Sequence, residues 1–377
     1  GDNLGTVTIL GDASGKAQSI TGNIGSSGSS DIKVLNIGES GVSTNYSTTT
    51  INGNVFANST VLNNGATNSS ELILASGKNI TSTITTADNG KGILTLFGGT
   101  QTVTGQVGTG GVGGASLAEV NAGANGATST FAGDVYATNL EVEGTGTVNL
   151  GGDFTGTAIR YNADGTVIVA TGNDVNSAIT NNTGIDSQGT LTLNGSSTVT
   201  GQVGASGASL KEINAGVAGS TSTFNSNVYV TNLNMTGTGT VILNSDLTGN
   251  VVATGNNQGI LTTTGLNKTI TGNIGSSTSL DLNTLNIGSD TDATNYSITT
   301  INGNVFANST VLNNNGTTNS SELILASGKN ITSTITTADA NMGILTLAGG
   351  TQTVTGQVGT NANKLAEINS GATGATS

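Results

Sequence analysis

Asp290 and Asp292 sit two apart in the run Gly288-Ser289-Asp290-Thr291-Asp292-Ala293. Two carboxylates at that spacing can present oxygens to a calcium ion, with backbone carbonyls completing the shell. Calcium is therefore the one cofactor the sequence brings into question, and Asp290 and Asp292 are where it would be held. The tandem nonapeptide of calcium-binding β-helices, GGxGxDxUx, does not occur. Asp164 (Asn162-Ala163-Asp164-Gly165) and Asp186 (Gly184-Ile185-Asp186-Ser187) are further carboxylates, of the kind that cleave polysaccharides when they converge. Nothing places them together, and no basic residue lies near them in sequence. The chain has no His and no Cys, which removes Ser–His and Cys–His nucleophiles and His-ligated metals. Asp290 and Asp292 are also missing from their own duplicate, which reads Gly38-Glu39-Ser40-Gly41. Turn formation is the preferred reading for all these acids. No catalytic or cofactor-binding residue is assigned, and the chain is read as a non-enzyme.

That duplicate is part of a longer copy. Thr49–Asn64 returns unchanged as Thr299–Asn314, and Asn68–Asp88 returns unchanged as Asn319–Asp339 after one inserted residue. A block copied this way depends mainly on its neighbours along the chain, as solenoid repeats do. A looser motif, T-[VI]-T-G-[QN]-[VI]-G with Ser first in its opening copy, recurs five times. Its first glycines are Gly22, Gly105, Gly201, Gly272 and Gly356. The modules begin near residues 19, 102, 198, 269 and 353 and run about 71–96 residues. After each motif come a Gly/Ser/Ala linker and a strand such as Leu117–Gly123, Leu210–Gly216 or Leu365–Gly371. Four modules then carry a strand with one aromatic in its middle, two of them within the duplicated block: Phe56, Tyr136, Tyr229 and Phe306. A core plug or an aromatic stack is the expected role of those rings.

Within a module, short alternating apolar runs recur every 8–12 residues or so, separated by Gly, Asn or Asp. Glu141-Val142-Glu143 shows the alternation, both acids on one face and the valine on the other. No sustained helical period exists, and Thr, Asn and Gly disfavour helix. Two or three such strands make a coil of about 18–24 residues, the size of a parallel β-helix rung. The expected fold is all-β: one continuous parallel β-helix (β-solenoid) rod over residues 1–377, of roughly 18 coils. A β-sandwich array is the runner-up; the absence of Trp and Pro and the elastic module length argue against it. Asn and Gly should mark corners needing positive φ, and stacked corner asparagines should hydrogen-bond from rung to rung.

The net charge is −13, with Arg160 the only arginine, which argues against a nucleic-acid partner. No apolar run approaches the ~18–20 residues of a membrane span. The chain opens and closes in mid-pattern and reads as a segment of something longer.

The combination TVTGQVG, a Gly/Ala/Ser linker, LAEIN, then GTVNLGGDFTGT resembles the passenger repeats of rickettsial surface cell antigens, the outer-membrane protein A/B-like autotransporters. The resemblance spans most of the chain in style and is most specific in the GQVG–LAEIN module. It implies an exported, cell-surface β-solenoid, an adhesin or surface coat; the family's C-terminal membrane barrel is not part of this sequence. The expected function is thus an extracellular structural and adhesive rod whose partners are a host or neighbouring cell surface. Its loops, Gly108–Gly114 and Ala170–Gln188 among them, are the expected contacts. The alternative is a self-assembling surface-layer or fibre subunit that stacks through solenoid edges.

Overall fold

The computed structural model describes residues 3–28, 30–42, 44–111, 113–276, 279–289, 296–314, 319–371 and 376. Among them are 33 strands and no helix. Strand pairs with strand in parallel throughout; antiparallel pairing is confined to isolated bridges, as between Ser26 and Ser30 or Ala205 and Ala208. Contacts divide the chain into Gly1–Leu191 and Thr192–Ser377. Each unit is a β-solenoid, and the two together contain about 14 turns.

One turn of the first unit shows how the sequence closes on itself. The strand Thr147–Leu150 is followed by Phe154–Tyr161, and the next turn begins with Thr166–Val169 directly above Thr147–Leu150. Phe154–Tyr161 is bent: its register against Val175–Asn181 slips between Thr155 and Ala158, which splits it into two straight stretches. Three stretches per turn therefore enclose a prism. Val148, Leu150, Phe154, Ile159 and Tyr161 point inward and are essentially inaccessible. Each such side chain contributes about 1.5–3 kcal/mol through burial. Gly156 makes the bend possible, because a Cβ there would lie 2.0 Å from the Ala137 carbonyl oxygen one turn below.

Turn length varies more than the sequence suggests. Glu141 and Arg160 are one turn apart at 19 residues, whereas Asn23 and Asn54 are one turn apart at 31. The expectation of roughly 18 coils is corrected to about 14 turns for this reason. Extra residues leave the prism as loops between the stretches, as between Asn23 and Asn54.

Corner asparagines do link the turns, though mostly through the backbone rather than amide to amide. In the first unit, Asn23 Oδ1 accepts the Asn54 N–H (2.8 Å), Asn54 Oδ1 the Asn79 N–H (2.9 Å) and Asn79 Oδ1 the Thr102 N–H (2.8 Å). The second unit repeats the pattern from Asn250 through Asn273, Asn304 and Asn330 to Thr353, at 2.8–3.0 Å. Each side chain supplies an acceptor where the bend interrupts the backbone ladder, a bond worth about 1 kcal/mol net.

The recurrent T-[VI]-T-G-[QN]-[VI]-G motif acquires a physical reading. Its Ile24, Val107, Val203 and Ile274 point into the prism. The following glycine adopts positive φ and passes so close to the strand above that a Cβ on Gly108 would sit 2.2 Å from the Tyr136 carbonyl oxygen. The [QN] position separates two designs. Gln106 and Gln202 reach only two residues ahead, to the carbonyls of Gly108 and Gly204, and brace their own loop. Asn23 and Asn273 are too short for that and reach the next turn instead.

Candidate functional site

The outward face of the first unit carries the densest group of charged side chains. The strands Leu117–Ala122, Val135–Val142 and Phe154–Tyr161 stack in register, so that Asn121, Glu141 and Arg160 form one column and Glu119 and Asn139 head the next. Arg160 Nη1 lies 3.2 Å from Glu141 Oε1. Asn162 Nδ2 donates to Glu141 Oε2 (3.1 Å) and to Glu143 Oε1 (3.4 Å). Glu141 is only 6% exposed although it points away from the prism, because its neighbours in the column cover it. The Glu143 carboxyl is held above the usual carboxylate range, first by burial, then by the charges of Glu141 and Glu119; the Asn162 bond partly opposes them. This face suits a cationic or hydrogen-bonding partner.

Two recesses add to the surface. One, of about 260 Å³, lies among Glu39, Asn63, Asn64, Asp88 and Lys91. Lys91 Nζ fills its cationic role, donating to the carbonyls of Gly65 (2.7 Å) and Ala66 (2.6 Å). The other, of about 370 Å³, is a groove on the second unit lined by Thr221, Thr240, Ile242, Ile260, Thr262 and Asn286. Its alternation of hydroxyl and aliphatic groups follows from register: Thr240 pairs with Ile260 and Ile242 with Thr262, so the outward side chains of successive strands stack in mixed columns.

The acids singled out by the sequence have separate fates. Asp290 and Asp292, the expected calcium positions, lie outside the described residues. Asp164 is a corner brace whose Oδ1 accepts the Gly189 N–H (3.1 Å) from the next turn. Asp186 stands on an exposed loop beside Ile185, itself 56% exposed. That loop is tied together from within: Thr183 Oγ1 donates to Gln188 Oε1 (2.9 Å), and the Thr183 N–H donates to Asn181 Oδ1 (3.1 Å). A carboxylate ladder that sequence reasoning overlooked runs through Asp134, Asp153 and Asp174. The Oδ1 atoms of Asp134 and Asp153 each accept the next aspartate's N–H, at 3.0 and 2.8 Å. Among the described residues, no three His, Cys, Asp or Glu side chains are grouped so as to hold a metal ion.

Two expectations are corrected. Phe56, Tyr136, Tyr229 and Phe306 are neither plugs nor core residues; they point outward and are half-buried, while the adjacent Val55, Val135, Val228 and Val305 enter the prism. A shift of one residue along a strand reverses the face, and the valine rather than the ring occupies the inward register. The rings that do fill the core are Phe131, Phe154, Tyr161 and Phe224. Tyr161 shows how: Gly189 lies against its ring, its Oη donates to the Thr190 carbonyl (2.7 Å), and burial pushes its phenol up. Likewise Ala170–Gln188 is not one loop, since it contains the strand Val175–Asn181; the loops are residues 170–174 and 182–188.

Comparison with known proteins adds no family. No protein-family model, curated protein or solved structure matches the chain. Nor is any helix of the described residues long and apolar enough to cross a membrane.

Proposed function

We propose that this chain is an extracellular structural and adhesive stalk of a bacterial cell-surface protein, acting through display and contact rather than through catalysis. The observation that carries the reading is the behaviour of the duplicated block. Its two copies share buried hydrogen bonds such as those of Asn64 and Asn314, yet the turn that follows each copy differs at surface positions, where Lys91 and Phe97 stand as Met342 and Ala348. A scaffold held constant beneath a varied surface suits a protein whose task is to present contacts. The resemblance of the GQVG–LAEIN module to rickettsial autotransporter passengers points the same way. The mixed Thr/Ile groove of the second unit and the braced loop carrying Ile185 are the proposed contact regions.

Beads coated with the protein test this on cultured epithelial cells and on immobilised glycans. Binding above albumin-coated beads, lost when Ile242 and Ile260 are replaced by Asp or when residues 182–188 are replaced by a short Gly/Ser turn, is expected. Circular dichroism unchanged by those replacements keeps the result interpretable. Absence of binding to every surface, or hydrolysis of any glycan by the protein, would overturn the proposal; filaments appearing with concentration would favour assembly as the function instead.

A further inference from the structure

Six Asn–Gly steps lie among the described residues, beginning at Asn52, Asn64, Asn89, Asn125, Asn194 and Asn302. In such a step the glycine amide nitrogen, with no side chain to hinder it, can attack the carbonyl carbon of the asparagine side chain. The structure sorts the six. Gly53, Gly65, Gly195 and Gly303 are buried, which withholds water and base from the nitrogen. The steps Asn89–Gly90 and Asn125–Gly126 are exposed, and both glycines have positive φ, +72° and +67°.

These two sites share an activating arrangement. Asn89 Oδ1 accepts from the Ser116 N–H (3.0 Å) and from Ser116 Oγ (2.8 Å). Asn125 Oδ1 accepts from the Thr145 N–H (3.0 Å) and from Thr145 Oγ1 (3.4 Å). In each case a residue of the following turn polarises the carbonyl and can stabilise the negative charge that nucleophilic attack places on its oxygen. The nucleophiles differ. Gly90 N–H donates to the Ser116 carbonyl (2.9 Å) and is held, whereas Gly126 N–H has no acceptor among the described residues.

We infer that Asn125–Gly126 is a self-modifying site, at which the folded chain converts asparagine to isoaspartate and aspartate. The Gly126 nitrogen loses its proton to water or hydroxide and bonds to Asn125 Cγ. The Cγ–Nδ2 bond then breaks, and the amide leaves as ammonia, taking up a proton. Water opens the resulting succinimide at either carbonyl. No oxidant or other co-reactant is needed. The isoaspartate product inserts a methylene into the backbone at this corner, makes the carbonyl that bridges to Thr145 part of the main chain and leaves a free carboxylate on the Asn125 α-carbon; the aspartate product places its carboxylate at the bridging oxygen itself. Space there is short, since a Cβ on Gly144 would lie 2.6 Å from that oxygen. The corner tie between these two turns is thereby weakened as the protein ages.

The test is to incubate the full chain at neutral and at mildly alkaline pH, then map peptides by mass and label isoaspartate with an isoaspartyl methyltransferase. In the folded chain, Asn125 is expected to convert faster than Asn89 by several-fold to roughly tenfold, the factor set by opening the one hydrogen bond that holds Gly90. Both rates should rise with pH. In denaturant the two rates should become similar, because the difference belongs to the fold. Thr145→Ala should slow Asn125 in the folded chain and leave it unchanged in denaturant. Thr145→Ser, which keeps the hydroxyl, should restore the rate and control for misfolding. Equal rates at the two sites in the folded chain, or no conversion at Asn125, would overturn the inference.

Discussion

The duplicated block and the residues that follow it offer a comparison made by the molecule itself: nearly the same residues in the first unit, around Ser47–Val103, and in the second, around Ser297–Val354. Inside the prism the copies share most of their bonds, although Ser297 and Thr299 also reach the Gly265 carbonyl and Thr263 Oγ1, for which Ser47 and Thr49 have no equivalent among the described residues. Ser47 and Thr49 share a 2.8 Å hydroxyl contact, and so do Ser297 and Thr299. Asn64 Nδ2 ties Leu62 O to Thr86 Oγ1, and Asn314 Nδ2 ties Leu312 O to Thr337 Oγ1. Gln101, fully buried, donates to the carbonyls of Leu74, Ala75 and Lys78 and accepts the Gly98 N–H; Gln352 repeats all four bonds. The copies part company at the rim. Lys91 pins Gly65 and Ala66, while Met342 has no proton to donate and touches Ser320 instead. Gly90, at φ +72°, becomes Asn341 at φ +62°, and each donates its N–H to the following turn. The buried bonds of a turn are thus sufficient to define it, and the rim can change without disturbing them.

The sharpest way to break this equivalence is to remove the buried glutamine. Gln101→Ala removes all four bonds and strands the buried Gly98 N–H, although Leu74 O and Ala75 O keep the N–H groups of Phe97 and Lys78; a loss of about 2–4 kcal/mol is expected from the denaturation midpoint of that unit. Gln352→Ala should cost the same within error; a twofold difference would show that the copies are not energetically equivalent. Next come the glycines under the leucines. Gly92 and Gly343 have positive φ, and a Cβ on either would lie 2.9 Å from Leu62 or Leu312. Alanine at each should cost about 1–3 kcal/mol, again equally.

At the rim the prediction reverses, and asymmetry is expected. Lys91→Met should cost about 1 kcal/mol and speed amide hydrogen exchange around residues 65–68. No change in exchange there would mean that the lysine contributes nothing at this rim. The smallest effect belongs to Glu143, which has no counterpart in the duplicated block. Its folded pKa is raised, so folding favours the protonated form. The associated stability is present below the carboxyl's unfolded pKa and is lost as pH rises through the folded one. Glu143→Gln should therefore stabilise the first unit by a few tenths of a kcal/mol at neutral pH and not at all in acid, solvent screening keeping the figure small.

Much of this architecture was legible in the residues. Alternation such as Thr147-Val148-Asn149-Leu150 names the inward positions, and repeated Asn and Gly mark the bends. The aromatics misled because Phe56 and Val55 are adjacent, and alternation alone does not say which of two apolar neighbours enters the prism. Gln101 was illegible for a related reason: a polar residue between two threonines reads as outward until the surrounding carbonyls are seen. Glu141 reads correctly as outward, but its burial depends on Arg160, nineteen residues away.

The sequence by itself determined the period-2 faces, the corners and the duplication, because these depend on backbone preference and side-chain polarity, which act over a few residues. Tertiary structure decided the turn length and with it which residues lie directly above one another. That stacking put Arg160 over Glu141, Gly189 against Tyr161 and Thr145 beside Asn125, and no local rule predicts it. The reason is that loops of any length can leave the prism between strands, so separation in sequence does not fix register, whereas the continuous parallel hydrogen bonding from turn to turn does.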